Sequence, residues 1–374
     1  MRISLRERGT SVSPFATSPL RTAMMGVLAL AAVVLPFVLS SFVTFQLSMA
    51  LIYAIAALSI VLLTGMNGQI ALGHGAFFGL GAYTTAILVQ NHGWHFLLTM
   101  PVGALLCFVL GVLIGIPALR LRGAYLAVLT LSVAFLFPLV IKRFNDFTGG
   151  SSGMTISQDL LDAPEWSGLS RDRFHYFLAL LVLMVLLVLT RNLLRGRTGR
   201  AIVGIRDNEI AAITVGIHLP TVKTITFGIS AAFAGVAGCL YTVTIAFVSS
   251  DAFPVQMSIN FLIGAVVGGL YNIYGSIIGG LVLEFLPQYS QSLSPSLTAF
   301  VYGAALIVIL LVMPGGAAAL IGKALDGVGR LVSGRRPGSG ESTVAVPVSS
   351  EPISSESIRS GDDDPVAPAG SSPP

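Results

Sequence analysis

Apolar runs of membrane-crossing length follow one another along most of this chain. About 20 residues at a 1.5 Å rise cross the hydrocarbon core of a bilayer. Runs near that length occur at about 24–45, 47–64, 71–89, 97–117, 123–141, 174–190, 224–248 and 298–313, with two shorter ones at 258–271 and 275–289. Charged residues make up 10% of the 374 residues and hydrophobic ones 54%. A soluble domain would carry about 25% charge. The expected class is therefore all-α: a polytopic transmembrane helical bundle of about 8–10 spans. The two shorter runs, with Asn272 between them, read as a hairpin of short helices. Re-entrant backbone at membrane depth is tolerated where it is buried in protein or lines a cavity.

One polar, basic segment interrupts the pattern, at 190–220. Arg191, Arg195, Arg197, Arg200 and Arg206 lie in it, and Lys223 just beyond. Basic residues flanking spans resist translocation, which places residues 191–223 on the cytoplasmic side. Counting from an inner N-terminus, seventeen of the 21 Lys and Arg fall on that side. Only Lys142, Arg143, Arg171 and Arg173 fall outside, so both termini are expected to be cytoplasmic. The layout has an N-terminal segment at 1–22, a membrane domain at 23–322 and a tail at 323–374. The tail is rich in Ser, Pro and Gly and holds Asp362, Asp363 and Asp364 in a row, a composition that predicts disorder. Within the basic segment, Ile202, Ile205, Ile210 and Ile213 recur at helical spacing, which predicts one short amphipathic helix.

Several function classes are excluded. The net charge of +4 sits beside spans, so topology and the lipid bilayer explain it, with no nucleic-acid partner. Cys107 and Cys239 lie in apolar runs and read as packing residues. Neither a phosphate-binding G-x-x-x-x-G-K-[ST] loop nor zinc-ligand spacing is present, and no G-x-S-x-G elbow supports an intramembrane enzyme. No metal site or cofactor is expected in this chain. An ion-coupled carrier would need charges at mid-depth, each costing about 2.5–3.5 kcal/mol on insertion scales. Glu284 is the one exception in the apolar runs. The layout puts it toward the outer end of its helix, and an interfacial position is preferred to one lining a pathway. Four G-x-x-x-G pairs, Gly75/Gly79, Gly111/Gly115, Gly264/Gly268 and Gly275/Gly279, permit close helix approach. Packing within one bundle is the simpler reading; a dimer seam or pore lining is the other.

Several blocks, in order, carry a resemblance: GMNGQIALGHGAFFGLGAY at 65–83, LRGAYLAVLTLSVAF at 121–135, FTGGSSGM at 147–154, RTGRAIVGIRDNEIAAITVGI at 197–217 and GAVVGGLYNIYGSIIGG at 264–280. The chain resembles the permease subunits of branched-chain amino acid ABC importers, of the LivM type. That resemblance implies a second, homologous permease, two ABC ATPase subunits that bind ATP with Mg, and an extracytoplasmic substrate-binding protein. It also implies a cytoplasmic coupling helix of Glu-Ala-Ala-x-x-x-Gly kind that docks on an ATPase. The matching residues are Glu209, Ala211, Ala212 and Gly216, with Arg206 and Asp207 just before. Ile210, inserted between the Glu and the alanines, departs from the wider pattern.

Two further blocks are candidates for contact with cargo or its carrier. Asn67, Gln69 and His74 lie in a polar break, which reads either as a broken helix that holds a zwitterion or as a tight capped turn. Thr148, Gly149, Gly150 and Ser151 read either as a contact for the binding protein or as a flexible connection. The expected function is the import of leucine, isoleucine or valine at the cell membrane. Rival readings are a urea or short-amide importer, an ATP-independent channel or secondary carrier, and a structural membrane subunit.

Overall fold

The computed structural model describes residues 31–118, 124–164, 168–293, 298–312 and 316–317, all within the compact unit Met1–Gly329. The N-terminal segment, the whole tail, Arg120 and Arg122 lie outside the described residues. Among the described residues the architecture is helical, apart from a two-stranded antiparallel pairing.

A helical segment at 31–38 leads, after a break at Leu39 and Ser40, into α1 (Ser41–Ile60). A boundary near 45–47 was expected instead. The polar residue there, Gln46, lies inside α1 and hydrogen-bonds Gln288 across the bundle, so it does not mark a turn. α1 widens into a π-helical turn, Val61–Met66, and the chain then runs irregularly to α2 (His74–His92). α3 (Phe96–Ala118), α4 (Ala124–Arg143) and the one-turn α5 (Asn145–Thr148) follow. After β1 (Met154–Thr155) comes α6 (Arg171–Arg195), and then the basic segment as α7 (Arg197–Asp207) and α8 (Glu209–Thr214). α9 (Leu219–Ile245), β2 (Phe247–Val248), α10 (Val255–Gly268), α11 (Gly275–Leu293) and α12 (Thr298–Val312) complete the order.

Among the described residues, six segments are long and apolar enough to cross a membrane: Ser41–Met66, Phe96–Pro117, Tyr125–Arg143, Arg171–Arg195, Leu219–Ile245 and Ser250–Gly268. The protein is a multi-pass helical membrane protein. α10 alone has 14 residues, and the preceding 3-10 turn lengthens that piece to 19.

The bundle is organised around α9, which packs chiefly on α3 and α2. Contact is made at small residues. A methyl on Gly81 would overlap the backbone of Gly235, and one on Gly238 would overlap the Phe78 carbonyl. Cys107 and Cys239 are buried in these seams as free thiols, and each donates to a carbonyl, Phe77 O at 3.4 Å and Gly81 O at 3.3 Å. All four G-x-x-x-G pairs face this chain's own bundle. Gly264 and Gly268 meet Gly279 and Gly275 backbone to backbone, which makes α10 and α11 the expected antiparallel hairpin. Gly75 meets Ser258, Gly79 meets Phe137 and Phe253, Gly111 meets Ala231 and Gly115 meets Thr224. Packing of this kind drives helix association in lipid, where apolar burial alone supplies little.

Gly279→Val would force α10 off α11, so a loss of about 3 kcal/mol is expected, the upper end of ordinary overpacking. Gly303 on α12 has open space where a side chain would go, so Gly303→Ala should be neutral. Thermal unfolding of the two variants in detergent checks both.

Candidate functional site

The basic segment is not one helix but two. Asn208 adopts an extended conformation and caps α8, its Oδ1 accepting from the N–H groups of Ile210 and Ala211 at 3.0 Å each. A side-chain acceptor at this position satisfies donors that the first turn leaves orphaned. The break changes the register of the apolar residues. Ile202 and Ile205 of α7 are buried against the bundle, whereas Ile210 and Ile213 of α8 are exposed, together with Val215. α8 ends at Gly216, whose φ of +84° lies in the left-handed region. Gly216 N–H bonds the Ile213 carbonyl at 2.9 Å and Ile217 N–H bonds that of Ala212 at 3.0 Å. This pair of hydrogen bonds stops a helix sharply. Ala212 is buried beneath α8, and Ala211 is exposed.

Two cationic side chains hold these helices to the bundle. Arg206 pairs with Asp207, its Nε and Nη2 reaching Oδ1 at 2.9 and 2.8 Å. Its Nη1 donates to the Gly65 carbonyl at 3.3 Å, and its guanidinium lies 5.1 Å from the centre of the Tyr271 ring. One side chain therefore touches α7, the end of the π-helical turn and the loop between α10 and α11. Glu209 pairs with Lys223 of α9 at 2.6 Å. Its carboxylate therefore already has a cation within the chain.

The polar break lies directly above these joints. Gln69 Nε2 donates to the Lys223 carbonyl at 3.3 Å, and Gly68, at a φ of +73°, packs on the Arg206 side chain. Side chains of other helices satisfy the backbone that the break exposes. Thr130 Oγ1 accepts from Leu72 N–H and Ser258 Oγ from Gly75 N–H, both at 2.9 Å. His74 is buried, with Nε2 2.7 Å from Ser230 Oγ, and that hydroxyl donates to the Ser59 carbonyl at 2.6 Å. Asn67 is 2% exposed, and among the described residues neither atom of its amide has a partner; His74 Nδ1 is likewise unpaired. Thr130, Ser230 and Ser258 were not singled out in the sequence. Lone hydroxyls inside apolar runs were the only signal for them.

Thr148, Gly149, Gly150 and Ser151 lie elsewhere. Thr148 Oγ1 donates toward the carbonyls of Ile141 and Phe144 at 2.8 and 2.9 Å and accepts from Gly150 N–H at 3.2 Å. Gly149, Gly150 and Gly153 all have positive φ. The loop then pairs as β1 with β2, Met154 opposite Val248 and Thr155 opposite Phe247, and Lys142 bridges to Asp251 at 2.8 Å. It is a shaped turn. Ser151 and Ser152 stand exposed at its tip. α8 leads into the start of α9 and β2 follows its end. The two candidate regions thus cap opposite ends of one 27-residue helix, about 40 Å apart at 1.5 Å per residue.

Residues 42–310 match the family model described as branched-chain amino acid transport system / permease component. The chain belongs to that family. It is 33% identical over 273 residues to the high-affinity branched-chain amino acid transport system permease protein LivM of Escherichia coli K12, covering 67% of this chain and 64% of that protein. The corresponding LivH protein of the same strain is 26% identical over 284 residues, 71% of this chain and 90% of that one. A probable branched-chain amino acid transport permease protein LivH of Methanocaldococcus jannaschii is 24% identical over 250 residues, 64% of this chain and 78% of that one. The match to LivM spans less than two thirds of that relative's length. No solved structure matches.

Asn208→Ala leaves two N–H groups of α8 without an acceptor and is expected to cost about 1 kcal/mol. Hydrogen exchange should show faster opening at Ile210 and Ala211, with α9 unchanged.

Proposed function

We propose that this chain is one of two permease subunits of an ATP-driven importer that brings branched-chain amino acids into the cytoplasm. A homologous permease completes the pathway, and two ABC ATPase subunits supply the work. An extracytoplasmic binding protein delivers the cargo. The observation that carries this reading is the patch of Ile210, Ile213 and Val215, exposed on a short helix that is capped at both ends and anchored through Arg206 and Lys223. An apolar patch held rigidly outside the core suits a partner that buries it. Its anchors touch the broken segment, so force applied to α8 reaches Asn67, Gln69 and His74 through few intermediates.

Topology supports the same assignment. The cationic residues around α7 and α8 favour the cytoplasmic side of the cell membrane, which puts both termini inside. The Thr148–Ser151 turn then faces outward, where the binding protein docks. Asn67 and His74, buried with unpaired polar atoms in a broken helix, suit a polar step on the cargo's route. In this scheme Asp207 and Glu209 hold Arg206 and Lys223 in place, Ala211 and Ala212 keep α8 slim, and Gly216 makes the exit turn.

The test is the double variant Ile210→Glu with Ile213→Glu, made in the complete complex. Desolvated anchors of this kind commonly contribute 2 kcal/mol or more, so co-purifying ATPase should fall at least about ten-fold. The permease pair should remain in the membrane. ATPase retained at wild-type stoichiometry would overturn the docking assignment. Uptake of labelled leucine against labelled urea, with and without this chain, decides the cargo.

A further inference from the structure

α11 runs through Leu293, beyond the end expected from the sequence, which makes Glu284 the tenth of its nineteen residues. This carboxylate is 9% exposed at the middle of the helix, buried within the bundle. The reason is packing. One turn earlier, Gly280 lets α11 seat directly on the α1 backbone at Ala50 and Ala54. Glu284 shares that face and is carried into the seam.

Its surroundings are polar and aromatic, with no cation. Gln288 Nε2 donates to Glu284 Oε1 at 2.5 Å, and Gln46 of α1 donates in turn to Gln288 Oε1. Tyr53 of α1 and Tyr241 of α9 lie within electrostatic reach of the carboxylate. The Tyr53 ring packs on Phe261 of α10 at 6.0 Å. Among the described residues no Lys, Arg or His pairs with Glu284; the ion pairs are Lys142–Asp251, Arg206–Asp207 and Lys223–Glu209. An ionisable group held inside a membrane bundle without a counter-ion marks a pathway for a charged ligand.

We infer that Glu284 receives the ammonium group of the amino acid in transit, at a site where α1, α9, α10 and α11 converge. The chemistry fits on both sides. A primary ammonium has three donors and matches an ionised carboxylate whose existing hydrogen bond comes from a neutral amide. The hydroxyl oxygens of Tyr53 and Tyr241 can accept from the same cation. Phe261, packed on the Tyr53 ring, adds apolar surface for a branched aliphatic side chain. Gln46 and Gln288, movable amides with free donor capacity, suit the cargo's carboxylate. A single carboxylate backed only by neutral groups also lets the ligand leave, as a transport site must. This site deepens the importer reading and rests on it.

The test uses the assembled complex with its ATPases and binding protein in proteoliposomes. Glu284→Gln keeps size and hydrogen bonding but removes the charge. Glu284→Asp keeps the charge. Removing one partner of a buried charge pair is costly, so leucine uptake by the Gln variant should fall at least about ten-fold, with Asp recovering part of it. A packing role predicts the reverse order, because Gln is the closer match in shape. Uptake by E284Q equal to the unmutated complex, or above E284D, would overturn the site. On the unmutated complex, labelling of Glu284 by dicyclohexylcarbodiimide gives a second measurement. Leucine should slow it, whereas isocaproate, the same molecule without the ammonium, should not. Protection by assembly with the second permease alone, unchanged by leucine, would assign the carboxylate to a subunit contact and overturn the proposal. If the unmutated complex moves no leucine with ATP, the importer reading itself fails; if it does and leucine gives no protection, only this inference fails.

Discussion

Contact between helix backbones at glycine is the constraint on which this bundle depends. α9 approaches α2 and α3 so closely that Gly81, Gly235 and Gly238 have no room for a methyl group, and α10 and α11 close on each other at four more glycines. In lipid there is little to gain by hiding one apolar side chain behind another, so van der Waals fit must supply the adhesion. Small residues make that fit possible, and they also decide which polar groups end up buried. The approach of α11 to α1 at Gly280 draws Glu284 inward. The approach of α2 to α10 at Gly75 brings Ser258 onto an exposed N–H.

A chain that breaks its helix between Asn67 and Gly73 inside a packed bundle must repair the loss, because unpaired buried backbone groups are costly. Thr130 and Ser258 accept from the freed N–H groups, Ser230 links His74 to the Ser59 carbonyl, and Thr64 Oγ1 donates to the Gln69 carbonyl at 3.0 Å. Side chains from the π-helical turn, α4, α9 and α10 therefore meet at one irregular stretch. Arg206 reaches the same stretch through the Gly65 carbonyl. The break, the basic helices and the loop before α11 form one connected structure rather than three neighbouring ones.

Much of the fold was legible because hydropathy reports burial in lipid directly. The hairpin of α10 and α11 followed from two short apolar pieces and a turn residue between them. Gly216, visible as part of the coupling-helix pattern, is the residue type that adopts a positive φ without strain, and the chain turns there. Local pattern failed where tertiary contacts decide. Helical spacing alone could not show that Asn208 would divide Ile205 from Ile210, since one hydrogen-bonding amide resets the register. Gln46 sat where a turn was expected, yet its partner Gln288 lies 242 residues away. The ion pair of Glu209 with Lys223 and the burial of Glu284 are likewise set by which helices touch. No window along the chain contains that information. Gly-rich pairs were visible as close contacts, but whether they faced a neighbour or the same bundle required coordinates.

α9 has no proline beyond its first turn and continuous helical structure from Leu219 to Ile245. Its two ends carry the basic helices and the strand-paired turn. Such a rod, packed from Thr224 to Thr242 against α2 and α3, shifts as one piece, so displacement of one tip is carried to the other. Movement at the two mouths of the bundle would then be a single mechanical event, with no relay needed between them.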